Sequence, residues 1–321
     1  MRTSDEKPSG PIDDAVPDGE RRRFLRTLAL LGSAPLLLPF RGFAASAPLI
    51  GQRIPSTREL IPLVGMGTWI TFNVGEDVRA RDRCAAVMQA FLANGGKLVD
   101  SSPMYGSSQP VIGYTLAKLG RPKVFAADKV WISPGSRGPG QIEESRRLWG
   151  VPQFDLLQVH NLLDWKQHLP HLFAMKKAGR LRYVGVTTSH GRRHDELETI
   201  MRTQPLDFVQ LTYNPVDREA EQRLLPLARD RGIAVIANRP FNQGALTRQL
   251  QSHPLPAWAG AIGCRTWAQI ILKFIVSHPA VTCAIPATSV PAHAAENLGA
   301  ARGPMPDGAM RLRIARHIEQ L

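Results

Sequence analysis

LVDSSPMYGSSQPVIGYTL, residues 98–116, carries the pattern from which the architecture can be read. It opens in a short apolar run, KLVD (97–100), that reads as a buried strand. Asp100 ends that run, and Tyr105 follows in the loop. Outward along the chain the pattern recurs. FAADKVW carries Lys129 near the end of the next apolar run, and DLLQVHN carries His160 at the end of the one after. Four proton-active side chains thus fall at or just beyond the C-terminal ends of three consecutive strand-like runs. In a parallel α/β barrel that face holds the active site, because the βα loops converge there.

The rest of the chain supports this. Strand candidates are 63–68, 97–102, 124–130, 154–160, 183–188, 208–213, 234–240 and 282–287, eight in all. They are apolar throughout rather than alternating, as strands buried on both faces are. Helical periodicity fills 80–94, 108–119, 139–149, 166–179, 192–203, 217–231, 264–277 and 291–300. The spacing predicts a single (β/α)8 TIM barrel over residues 48–321, with an N-terminal β-hairpin in IGQRIPSTRELIP (50–62) and a closing C-terminal helix in 307–321.

Composition sets bounds. The chain has 321 residues, 43% of them apolar, with 40 Lys+Arg against 27 Asp+Glu. Residues 1–47 hold seven basic and six acidic residues, so nearly all the positive excess belongs to the remainder. The arginines are scattered and not interleaved with aromatics. They read as a solvated basic surface, not as a nucleic-acid site. Cys84, Cys264 and Cys283 lack metal-ligand spacing and read as buried structural thiols.

The N-terminal segment is an address. ERRRFLRTLALLGSAPLLLPFRGFAASA (20–47) places Arg21 and Arg22 before an apolar stretch over about 27–40 and a small-x-small site, Ala45-Ser46-Ala47. It resembles a twin-arginine (Tat) export signal, with Glu20 in place of the usual Ser or Thr. The resemblance implies recognition by the Tat translocase, a mature start near Pro48 and a bacterial periplasmic location. The apolar stretch is short and broken by proline, so no stable membrane anchor is expected after cleavage. A basic, apolar surface helix or a membrane anchor is the alternative.

From residue 54 to about 300 the chain resembles the aldo-keto reductase family. IPLVGMGTW, LVDSSPMYG, QIEESRRLWGVPQFDLLQVHN, YVGVTTSH and IPATSVPAHAAENLGA match family motifs in order. The resemblance implies reduction of aldehyde or ketone carbonyls by hydride from NADPH, with NADH as the other candidate donor. It assigns Asp100, Tyr105, Lys129 and His160 as the catalytic tetrad. Tyr105 would protonate the developing alkoxide. A phenol near pKa 10 is a poor acid at neutral pH, and Lys129, held by Asp100, is expected to lower that pKa. His160 would orient the carbonyl and share the stabilisation of its charge.

The implied cofactor contacts are Thr68, Thr187, Thr188, Gln210, Asn238, Arg239, Thr288, Ser289, His293, Glu296 and Asn297. Several depart from the family pattern. Thr187-Thr188 replaces Ser-Asn, and Asn238 stands where an aromatic ring stacks on the nicotinamide, leaving Phe241 as a substitute. Ala287 and His293 replace the Lys and Arg that hold the 2′-phosphate in many members, with Arg302 as a candidate replacement. Trp69, Trp131 and Trp165 are expected to wall the substrate pocket, and His168 and His171 to lie on the surface. The competing class is an exported cofactor-binding or interaction module on the same barrel with little turnover. The tetrad weighs against it, since a pure binder needs no proton donor.

Overall fold

The computed structural model describes residues 47–321; the export-signal reading of 1–47 and its arginine pair lie outside the described residues, save Ala47. Eight parallel strands follow one another around a barrel. They are β3 (Met66–Gly67), β4 (Leu98–Asp100), β5 (Phe125–Val130), β6 (Leu156–Val159), β7 (Tyr183–Thr187), β8 (Phe208–Thr212), β9 (Ala234–Asn238) and β10 (Cys283–Ala284). Each pairs in parallel with the next, and a bridge between Val64 and Ala284 joins the first to the last. At this seam the Gly65 N–H donates to the Ala284 carbonyl at 2.8 Å and the Gly67 N–H to Pro286 at 3.0 Å. A Cβ on Gly67 would sit 2.8 Å from the Ile285 carbonyl oxygen, so only glycine lets the seam close here. The seam strands are shorter than the apolar runs 63–68 and 282–287, because their ends leave the ladder for loop and bridge contacts.

A hairpin, β1 (Gly51–Arg53) and β2 (Leu60–Pro62), supplies Ile54 and Ile61 to the barrel interior. Both are almost fully buried, among Leu98, Phe125, Leu156, Tyr183 and Phe208. Each such side chain contributes about 1.5–3 kcal/mol by leaving water. The hairpin thus plugs the barrel as expected. The Tyr183 hydroxyl meets the hairpin's Glu59 at 2.6 Å and Thr57 at 2.8 Å, which fixes the plug's orientation.

Helices cover the outside: α1 (Val78–Ala93), α2 (Ser108–Lys118), α3 (Gly138–Trp149), α4 (Trp165–Lys177), α5 (His194–Thr203) and α6 (Leu224–Arg231), then α7 (Ala245–Leu250), α8 (Trp267–Val276), α9 (Pro291–Gly299) and α10 (Gly308–Glu319). Local chemistry sets several ends. Asp77 caps α1 by accepting from Arg79 and Ala80, Thr266 caps α8, and Asp307 caps α10. Gly150, at φ +65°, terminates α3. The segment 217–231 starts as helix only at Leu224, and α7 lies in a stretch the periodicity left open. Cys84, Cys264 and Cys283 are buried free thiols. His168 is not on the surface: it is 2% exposed, with Nε2 2.9 Å from the Ile132 carbonyl.

Candidate active site

Strand alternation builds the base of the site. On β5, Lys129 points into the barrel while Asp128 points out towards the helices, as a two-residue period requires. Lys129 is fully buried, and its ammonium lies 2.6 Å from Asp100 Oδ2 on the neighbouring strand. It also donates to the Ser101 carbonyl at 2.7 Å. The second Asp100 oxygen accepts from Gln210 Nε2 at 2.9 Å and, at 3.4 Å, from Gln158 Nε2. Burial opposes the charge on Lys129, but Asp100, Tyr105 and Asp128 outweigh it and hold the lysine pKa above its ordinary value. The lysine therefore stays a cation. An ion pair this deep is retained at a desolvation cost, and breaking it leaves one uncompensated buried charge.

Tyr105 comes from the loop after β4. The Lys129 ammonium lies 5.0 Å from its ring centroid, and the His160 ring crosses it edge-on at 5.7 Å. The expectation that Lys129 lowers the phenol's pKa is only half met. Burial of the hydroxyl raises that pKa more than the Lys129 charge lowers it, and the nearby Asp100 adds to the rise. Tyr105 thus rests protonated. His160 closes β6; burial, and then the Lys129 charge, push its pKa well below 6.5, so the ring is neutral. Its Nδ1 lies 2.7 Å from Ser102 Oγ.

These groups open into a cavity of about 920 Å³ at the C-terminal ends of the strands. Asp100, Tyr105 and His160 line it, and so do all eleven expected cofactor residues: Thr68, Thr187, Thr188, Gln210, Asn238, Arg239, Thr288, Ser289, His293, Glu296 and Asn297. Trp69 lines it too, 6.4 Å from the Tyr105 ring. Trp131 and Trp165 do not. The Trp165 indole N–H is turned to Glu196 at 2.9 Å, and Trp131 stands beyond the cavity rim. The chemistry of the strand ends identified the wall; the direction of Trp165, at the start of α4, is set by Glu196 on α5.

Several wall residues are already engaged. The Thr68 hydroxyl donates to the Asp100 carbonyl at 2.9 Å and accepts from Ser108. Thr187 Oγ1 accepts from the Asn161 N–H, and Glu296 from the Thr266 hydroxyl. Gln210, expected at the nicotinamide carboxamide, has its amide N–H on Asp100. Asn238 donates to the Thr188 carbonyl at 2.9 Å and accepts from Thr212 at 2.8 Å. Others are free. Thr188 Oγ1 and Arg239 Nη1 are buried polar atoms with no partner. Such orphans are costly unless a ligand satisfies them. A dinucleotide, which brings carboxamide, hydroxyl and phosphate groups, fits this wall. Arg302 does not serve it: its guanidinium binds the Ala47 and Asn94 carbonyls, away from the cavity. The cations that do line the wall besides Arg239 are Arg248 and Arg265, which the motif comparison did not single out. The motifs did not single out Ser102, Met104 or Gln158 either, although Ser102 and Met104 lie within residues 98–116.

The loops bearing these groups are strained. Ile70, Asn161, His190 and Arg239 all line the cavity and all adopt positive φ, at 66°, 52°, 61° and 52°. For a β-branched isoleucine this is a genuine outlier. Strain of this kind collects where a ligand site dictates backbone direction.

The profile of the Aldo/keto reductase family matches residues 63–312. Methylglyoxal reductase YeaE of Escherichia coli is 28% identical, with 74% of this chain and 84% of the relative covered. An NADH-specific methylglyoxal reductase of the same organism is also 28% identical, with coverages of 68% and 75%. A crystal structure of an aldo/keto reductase from Klebsiella pneumoniae with NADP and acetate superposes with a TM-score of 0.68 at 24% identity, covering 81% of this chain and 93% of that one. The chain belongs to the aldo/keto reductase family and is an oxidoreductase that reduces carbonyl compounds with NAD(P)H.

Proposed function

We propose that Tyr105 is the proton donor of this reduction, with Lys129, Asp100 and His160 as its partners. The observation that carries the reading is the buried Lys129–Asp100 pair lying beneath a cavity-lining tyrosine. A bound nicotinamide supplies the hydride. As the carbonyl oxygen gains charge, the Lys129 cation makes phenolate formation easier and so favours proton release from Tyr105. Asp100 holds Lys129 charged and in place. Neutral His160 donates a hydrogen bond to the same oxygen and orients it. Thr188 and Arg239 would hold the cofactor through the atoms that now lack partners, and Thr288 and Ser289 through the turn that starts α9, where free backbone N–H groups favour phosphate.

The substrate in this reading is an aldehyde or ketone with an apolar body. Trp69, Ile70 and Met104 are exposed apolar side chains lining the cavity beside Tyr105, and such walls favour apolar ligands. Methylglyoxal, the substrate named for both E. coli relatives, is the first compound to test. NADPH is the preferred donor in this reading, with Arg265 in place of the missing lysine and arginine. The test is NADPH and NADH oxidation by purified protein over a panel of aldehydes, ketones and quinones, beside Tyr105→Phe. Carbonyl-dependent oxidation that collapses in the variant supports the reading; equal rates contradict it. The same reading places the protein in the periplasm through the Tat pathway, supported by Arg21, Arg22 and the Ala45-Ser46-Ala47 site. Processed protein starting near Pro48 in the periplasmic fraction is expected; full-length cytosolic protein alone would contradict it.

A further inference from the structure

We propose that Ser102 is a positioning residue whose hydroxyl fixes the tautomer of His160, so that the ring presents Nε2–H to the cavity. The inference rests on reading His160 as the donor to the carbonyl oxygen, and it names what makes the ring a donor.

The hydrogens around Ser102 can be counted. Ser102 is fully buried. Its Oγ accepts the Met104 N–H at 3.1 Å and lies 2.7 Å from His160 Nδ1. A serine hydroxyl has one hydrogen and two lone pairs, and a backbone N–H can only donate. Met104 therefore takes one lone pair. Were Nδ1 also to donate, the serine hydrogen would have no acceptor, since no other partner of Ser102 Oγ exists among the described residues. Buried polar groups in native interiors are rarely left so. The arrangement that satisfies every atom has the serine O–H donating to Nδ1. A neutral imidazole carries its single N–H on the other nitrogen, so Nε2 is the donor. Nε2 has no protein partner among the described residues, and the ring lines the cavity. Its N–H is left for a ligand.

The same turn also sets the phenol. The Tyr105 N–H donates to the Ser102 carbonyl at 3.0 Å, so residues 102–105 form one hydrogen-bonded turn. One end of it holds Tyr105, and the other dictates which His160 nitrogen carries hydrogen. The opposite tautomer would aim a lone pair at the carbonyl oxygen and repel the charge that forms there.

Long-range ¹H–¹⁵N NMR of the imidazoles in the full chain tests this, with His160→Gln identifying the His160 signals. The expected result at about pH 7 is a neutral ring protonated on Nε2; protonation on Nδ1 in the wild type would overturn the proposal. In Ser102→Ala the ring should become a mixture of tautomers. Its kcat should fall about 10-fold, the loss expected for one hydrogen bond made chiefly in the transition state, with cofactor affinity unchanged. Ser102→Thr keeps the hydroxyl and should restore both tautomer and kcat. A Ser102→Ala protein with wild-type tautomer and kcat refutes the role. If the wild type reduced no carbonyl, the functional reading would fall instead, while NMR would still decide the tautomer.

Discussion

The two halves of the cavity wall differ in how completely their polar groups are paired. On the proton-transfer side, both Asp100 oxygens, the Lys129 ammonium and His160 Nδ1 have partners between 2.6 and 2.9 Å. On the cofactor side, Thr188 Oγ1 and Arg239 Nη1 are buried without any. Apart from Gln158 Oε1, buried without a partner, and His160 Nε2, which faces the cavity, the first is paired before a ligand arrives, and reacting groups held this way avoid reorganisation during the reaction. The second is left open in a way that a ligand completes. Substitutions on the two sides should therefore fail differently: one in turnover, the other in binding.

The largest effect should come from the finished side. Lys129→Met leaves Asp100 buried and unpaired. It should cost about 3–5 kcal/mol of stability and reduce kcat by roughly 10²–10⁴-fold. Denaturation and steady-state kinetics read the two losses separately. A variant as stable as the wild type would mean that the pair is not the keystone of the barrel interior.

Asp128 comes next, directly behind Lys129. It is fully buried, accepts from the Lys129 N–H at 2.8 Å and from Gln109 at 2.7 Å, and burial pushes its pKa up to about 7. The folded protein therefore prefers the protonated acid, whereas the unfolded chain ionises near 3.8. Stability contributed at acid pH is lost as pH climbs from about 4 through about 7. At 1.36 kcal/mol per pH unit, that loss is about 4 kcal/mol. Urea unfolding at pH 5 and pH 8 checks it: wild type should lose more stability than Asp128→Asn. Parallel losses would show that Asp128 is already ionised.

The open side should give smaller, binding-only effects. Arg239→Met removes a charged donor and should weaken cofactor binding about 10-fold or more, with kcat at saturation little changed. Thr188→Val should weaken it only a few-fold and leave stability unchanged or slightly higher, because it removes an orphaned hydroxyl. Fluorescence titration with NADPH and NADH reads both. A kcat loss in either variant would erase the distinction between the two halves.

What the sequence revealed follows the same division. The barrel was legible because apolar runs and helical periods alternate over residues 48–321, and Asp100, Lys129 and His160 because they sit at strand ends, where the register dictates direction; Tyr105 follows in the loop after β4 and was legible through the motif around it. Asp100 and Lys129 had nowhere to point but inward. Loop residues carry no such constraint. Trp131 lies off the cavity, and Arg302 was drawn to the main-chain carbonyls of Ala47 and Asn94; Trp165, at the first position of α4, turned to Glu196. Gln210 was placed correctly in the wall, but its amide faces Asp100, since an inward carboxylate attracts the nearest donor. The direction of the Tyr105 pKa also required the structure, because burial and a lysine charge oppose each other and only packing decides between them.

The role on which both halves of the wall converge is the proposed proton donation by Tyr105. It is tested most directly by measuring cofactor affinity and carbonyl-dependent NAD(P)H oxidation on the same preparations of wild type and Tyr105→Phe. Unchanged affinity and a rate lower by roughly 10²–10⁴-fold are expected. Equal rates with equal affinity would contradict it.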